Sequence, residues 1–208
     1  MAMIEVVTRE AGRPRLFTDE DIFFATARVV RALGYNRLTV ASVAAEVGCT
    51  GPALIRRFGS KHQLLRTFLR WSSAKSHERF QRIRASHSSP LEMLRARIVM
   101  PVSERPEEVG EMAGHTTLLI FYLEARADAL FRPFIDEHAM QYEIEIAELV
   151  EEAIEAGELR PLDSAEFAHA LLASIAGASL MWSPDHPRSV TEENARVLDT
   201  LLASARLT

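Results

Sequence analysis

Residues 39–61 read TVASVAAEVGCTGPALIRRFGSK, two short helical stretches joined by a glycine turn. Thr39 stands where a hydroxyl caps a first turn, and Val40, Val43, Ala44 and Val47 recur at helical spacing to form an inward face. Gly48 supplies the permissive backbone of the turn, and Thr50 caps the next helix. Pro52 is tolerated in that helix's first turn, where its missing N–H has no helical acceptor to lose. Leu54 and Phe58 point to a core, and Arg56 and Arg57 give the helix a basic end. Ser60 and Gln63 then form an S-x-x-Q capping box for a third helix. This spacing suits a helix-turn-helix, a unit that seats its second helix in a DNA groove.

Outward from this segment the chain reads as helix. Residues 1–16 are a polar arm carrying Arg9, Arg13 and Arg15. A helix starts at Thr18, with Asp21 at the reciprocal capping-box position and Phe17 and Ile22 as a hydrophobic staple. Phe23, Ala27, Val30 and Leu33 keep helical spacing until Gly34 ends the element. The helix opened by Ser60 runs to about Arg84. SHSSP at 86–90 breaks the composition and marks the expected boundary between a 1–60 head, continued by the linking helix, and an 85–208 body. Helices are expected at about 90–100, 106–112, 114–128 and 133–156, the last ended by Gly157 and Pro161. Asp163 and Glu166 open another helix, which runs to about Trp182, and Thr191, followed by Glu192 and Glu193, starts a terminal one. With no period-2 strand, the expected class is all-α.

Of 208 residues, 48% are hydrophobic and 25% charged, the balance of a globular chain rather than a disordered one. The longest wholly apolar run, 118–123, is far short of the ~20 residues that span a bilayer. The N-terminus lacks the basic-then-apolar pattern of a secretory signal. The lone Cys49 excludes an internal disulfide, which together with the missing signal gives a cytoplasmic expectation. Its thiol is read either as packing or as a redox group.

The net charge of −5 conceals a division. Residues 1–84 hold 15 Lys/Arg against 7 Asp/Glu, a formal +8, while residues 85–208 hold 9 against 22, a formal −13. Polyanion binding is thereby confined to the first part.

At Gly34-Tyr35, Leu38-Thr39-Val40, Val43-Ala44, Val47-Gly48, Leu54, Phe58 and Ser60-Lys61, followed by Leu64-Leu65, the sequence resembles the TetR family of bacterial transcription regulators. GELRPLD at 157–163, leading into an Ala-rich helix, is similar as well. The resemblance implies a three-helix DNA-binding head, the linking helix as its stalk, and a larger helical domain for ligand binding and dimerisation. One departure stands out. Ile55 occupies a position where family members commonly carry a tyrosine that reaches the DNA backbone, and isoleucine cannot donate that bond.

The chemistry of the head fits double-stranded operator DNA as partner. Gly51, Pro52 and Ala53 let the helix start approach DNA closely, and its dipole favours phosphate. Arg56 and Arg57 can fork onto guanine or hold phosphate. Lys61 is placed as a phosphate anchor, and Thr39 and Thr50 can both cap and donate to phosphate. The competing reading takes these cations as an ordinary solvated face.

In the body, Ala170, Ala173, Ser174, Gly177 and Ala178 form a small-residue stripe at i, i+3, i+4, i+7 and i+8. The stripe serves either intramolecular packing or, as the resemblance implies, a four-helix homodimer interface with the 133–156 helix. Trp71, Met93, Met112, His115, Leu119, Tyr122, Met140 and Tyr142 are core residues or, as a set, the lining of a pocket for a small organic inducer. The acidic run Glu143, Glu145, Glu148, Glu151, Glu152 and Glu155 reads as a solvated face. No metal motif, cofactor fingerprint or catalytic constellation is visible. Adjacent Asp136, Glu137 and His138 diverge on a helix. The expectation is a ligand-responsive repressor that binds a palindromic operator as a homodimer and is released by a small apolar inducer. The rival is a helical small-molecule-binding protein or enzyme without sequence-specific DNA binding.

Overall fold

Several helix starts are fixed by local polar contacts. In the computed structural model, which describes residues 17–99, 113–182 and 187–206 and the side chains of these except 113–118, Thr18 caps α1 (Asp19–Arg37) and closes a full box with Asp21. Thr39 does the same with Ser42 at the start of α2 (Val40–Val47). The α1 backbone breaks at Gly34 (φ 73°, ψ 171°) before one more turn to Arg37. Gly48 ends α2 in the left-handed region (φ 82°), which strains any residue with a Cβ. Then follow α3 (Gly51–Phe58) and α4 (Lys61–Ser86), the latter capped by Ser60, which accepts from the Gln63 N–H.

The body consists of α5 (Pro90–Val99), α6 (Ala113–Arg126), α7 (Arg132–Glu155), α8 (Ser164–Met181) and α9 (Val190–Ala205). Helix α7 ends as expected: Gly157 turns left-handed (φ 71°) and the Glu158 N–H reaches back to the Ala153 carbonyl at 2.8 Å. The terminal helix starts one residue before Thr191. Ser189 rather than Thr191 is its cap, because Ser189 has Glu192 three residues on and closes a box with it. The expected 106–112 helix and the N-terminal arm lie outside the described residues.

Two apolar clusters hold the molecule together, and α4 belongs to both. Its first half buries Leu64, Leu65, Phe68 and Leu69 against Ile22, Phe23, Val30, Val43 and Leu54 of the head. Its second half buries Phe80 and Ile83 among Leu94, Ile146, Leu149, Leu171 and Leu198 of the body. Each such side chain contributes roughly 1.5–3 kcal/mol by leaving water. The head cluster also takes in Phe121, Ala125, Phe131 and Ile135, so α6 and the start of α7 pack directly on the head.

Between those halves α4 is polar, and the body answers it. The Ser72 hydroxyl lies 3.1 Å from the Tyr122 hydroxyl, and Ser73 3.2 Å from His138 Nδ1. Ser76 accepts from Arg97 at 2.9 Å. Arg97 and Glu145, each 2% exposed, pair at 2.6 Å. Glu145 is therefore a correction to the solvated-face reading of the acidic run. A carboxylate can be buried here because Arg97 donates to it twice and His77 Nδ1 lies 2.9 Å away.

Helix α8 is long and apolar enough, by length and composition, to cross a membrane. In this fold it lies alongside α7 and α9 as part of the helical bundle, and its apolar outer face has a different reading below.

Candidate nucleic-acid interface

Helix α3 is short, and its residues divide cleanly by exposure. Leu54 is buried in the head cluster and Phe58 packs against it, fixing which side faces inward. Pro52, Ile55, Arg56 and Arg57 are exposed. Helical geometry at ~100° per residue puts Pro52 and Arg56 on the outward face, with Ile55 and Arg57 on opposite flanks. On the Ile55 side, a Cβ at Gly51 would stand 4.0 Å from the Ala41 Cα of α2, ordinary contact. The start of α3 therefore lies close to α2 and, after Thr50, carries only the small side chains of Pro52 and Ala53.

The two arginines, equivalent in sequence, have different fates. Arg57 binds Asp19 at 2.7 Å and donates to the Phe17 carbonyl at 2.7 Å, tying α3 to the start of α1. Arg56 has no hydrogen-bond or ion-pair partner among the described residues and extends into solvent. Arg56 is the free cation of α3. Thr50 stands at the cap position but its hydroxyl makes no capping bond. Pro52 lacks an N–H, and the Ala53 amide already bonds the Thr50 carbonyl at 3.0 Å. Thr50 is thus a correction to the capping expectation, and its exposed hydroxyl stands beside the helix start. Thr39 is exposed too, with its hydroxyl engaged by Ser42.

Lys61 opens α4, its ammonium 5.4 Å from the Tyr35 ring centroid. Tyr35 is itself held by the body. Its hydroxyl donates to Asp128 at 2.9 Å, while Glu124 accepts from its amide and from Asn36. Burial first, then that bond, pushes the Tyr35 hydroxyl up to about 12. Asp128 is lowered, chiefly by the Leu130 amide and then by Tyr35. The ring of His62 stacks on Phe131 at 5.7 Å. The proposed phosphate anchor thereby rests on a junction between head and α6.

This arrangement, a capped helix, a glycine turn, a second short helix and a third carrying the next core, matches a known family over residues 22–67: the bacterial regulatory proteins of the tetR family. The match covers the head and the start of α4. Solved structures agree on the fold across nearly the whole length. A TetR-family regulator from Agrobacterium tumefaciens superposes with TM-score 0.76 at 17% identity, covering 91% of this chain and 97% of that one. The ketosteroid transcriptional regulator KstR2 of Mycobacterium tuberculosis gives 0.67 at 20%, covering 96% and 100%. AibR in complex with isovaleryl coenzyme A and operator DNA gives 0.64 at 20%, covering 88% and 96%. A comparison with curated proteins gives no match. Within the matched residues the helix-turn-helix lies at α2–α3.

The expected pocket residues of the body separate into groups. Trp71 lies in the head cluster, 5.4 and 5.1 Å from the rings of Phe23 and Phe24. Tyr122 is in the same neighbourhood, stacked on His138 at 5.7 Å, and burial raises its hydroxyl while lowering the His138 imidazole. Met93 belongs to the body cluster, and Tyr142 lies 4.1 Å from Arg97 and donates to its carbonyl. Leu119 is half-buried. Met140, 60% exposed, is on the outer surface of α7 rather than in that interior. Met112 and the side chain of His115 lie outside the described residues. Sequence reasoning missed the polar set Ser72, Ser73, Ser76, Arg97, His138 and Glu145. The available signal was an arginine and a glutamate, each set within an apolar run, as in MLRARIV and IEIAELV.

The stripe on α8 faces outward. Ala170 and Ala173 are exposed, Ser174 returns its hydroxyl to the Ala170 carbonyl, and a Cβ at Gly177 would meet open space. Exposed Met140 and Ile144 on α7 and Leu180 and Met181 on α8 extend the apolar surface.

Proposed function

We propose that this chain is a ligand-responsive repressor acting in the cytoplasm as a homodimer on a palindromic operator. The single observation that carries the DNA-binding part is the outward face of α3, where Arg56 stands free beside an unencumbered helix start. A positive head on an otherwise negative chain supports the same reading. Thr39, Thr50, Gly51, Pro52, Ala53 and Lys61 supply close approach and phosphate contacts, and Arg56 reaches base edges. Arg57 acts by positioning α3.

The apolar face of α7 and α8 supports dimerisation: small residues allow close helix approach, and a two-fold dimer places two heads for successive major-groove faces. The inducer is proposed to be a small organic molecule that binds the body among α4, α6 and α7. AibR, which its structure shows with isovaleryl coenzyme A and operator DNA, is a precedent for ligand and DNA on one such fold. Because α4 joins both clusters, a ligand preferring one placement of α4 shifts the heads between operator-competent and incompetent spacing.

Gel-shift titration against the promoter beside its own gene, at several salt concentrations, tests this. Sequence-selective binding supports it. Uniform weak binding to every duplex, with and without candidate ligands, favours the rival reading of a solvated basic head.

A further inference from the structure

Resting on the operator-binding reading, we infer that Ile55 reads a thymine methyl group of the operator, beside Arg56 as the one hydrogen-bonding base reader on α3. The inventory of that helix leads there. Its eight residues, GPALIRRF, contain no Asn, Gln, Ser, Thr, Lys or His, so only the arginines can bond base edges. Arg57 is committed to Asp19 and the Phe17 carbonyl. One donor side chain remains.

The rest of the exposed surface is apolar. Ile55 is 44% exposed, and it is the only exposed large hydrophobic residue among the described residues of α1–α4. A lone exposed isoleucine is ordinary on a protein surface; its surroundings give this one meaning. Gly51 and Pro52, four and three residues before it on the helix, bring no side-chain donor or acceptor, and Ala41 of α2 lies beside Gly51. Such a strip, set against a major groove, cannot bond N7, O6, O4 or N6, but it matches the one apolar group that bases present there, the C5 methyl of thymine.

Removing the methyl alone tests the assignment. The wild-type protein first selects its operator from a random duplex pool. Each thymine of that operator is then replaced singly by deoxyuridine, which differs only in lacking the methyl. At one thymine per half-site the wild type should lose about three- to fivefold in affinity, the scale of one buried methyl. Ile55→Ala should bind the parent operator more weakly by a similar factor and be indifferent to deoxyuridine at that position. Arg56→Ala should keep the deoxyuridine sensitivity while losing preference at a guanine. Wild-type affinity unchanged by every deoxyuridine, or Ile55→Ala losing as much as wild type, overturns the inference while leaving operator binding intact. Failure to select any sequence overturns operator binding itself, and is seen at the first step.

Discussion

The guanidinium of Arg57 lies 2.7 Å from the carboxylate of Asp19, so one of the two arginines that end the recognition helix is spent on holding that helix against α1. Its neighbour is not. Arg56→Ala should therefore weaken operator binding by ~1–3 kcal/mol, concentrated at one base pair. Arg57→Ala and Asp19→Ala should resemble each other, with thermal stability lowered by under about 1 kcal/mol, since the pair is well exposed. Fluorescence titrations against operator variants, with thermal melts of the same proteins, separate the two roles.

Lys61 calls for a different signature. As a phosphate contact it carries no sequence information, so Lys61→Ala should weaken binding to all duplexes alike. The slope of log K against log salt should fall by about one unit. A loss confined to one operator sequence would move Lys61 from phosphate to base.

The junction at Tyr35 should show itself in alkali. Its folded pKa of about 12 lies above the ordinary ~10. The folded state thus holds that proton more tightly, a contribution fully present below pH 10 and lost as pH rises from about 10 to about 12. Tyr35→Phe should lose about 0.5–1.5 kcal/mol at neutral pH, and its stability should decline less steeply than wild type across that alkaline window. Urea unfolding as a function of pH checks both statements.

Breaking the buried pair should be costly. Glu145→Ala leaves Arg97 charged and nearly inaccessible, and should destabilise the chain by about 3–5 kcal/mol in urea unfolding. Replacing both partners with apolar residues of similar size should recover much of that loss, because it removes the uncompensated charge.

Ala173, exposed in the single chain, tests the dimer surface. Ala173→Glu should leave the melting behaviour of the isolated chain nearly unchanged while shifting sedimentation from dimer to monomer. Retention of a full-strength dimer would place the interface elsewhere.

What the sequence discloses here is what is local. Thr18, Thr39 and Ser60 announce helix starts because a cap and its partner lie three residues apart, and Gly48 and Gly157 announce ends because a left-handed turn favours glycine. Ser189 obeys the same rule with Glu192 but was masked by the acidic pair following Thr191. The distinction between Arg56 and Arg57 was not legible, since it depends on the start of α1 folding back onto α3. Nor was the burial of Glu145, whose partner Arg97 stands on another helix. The candidate interface was thus readable as a segment, and its division into reader and positioner was not.

The account rests on α3 reading DNA in a two-fold assembly, and selection of bound sequences from a random duplex pool, followed by sedimentation of the complex, addresses it most directly. The predicted result is an inverted repeat whose half-sites lie about 34–36 Å apart or a multiple of that, carrying two subunits or a multiple of two. Recovery of unenriched sequence, or of a single unrepeated site bound by one subunit, would contradict it.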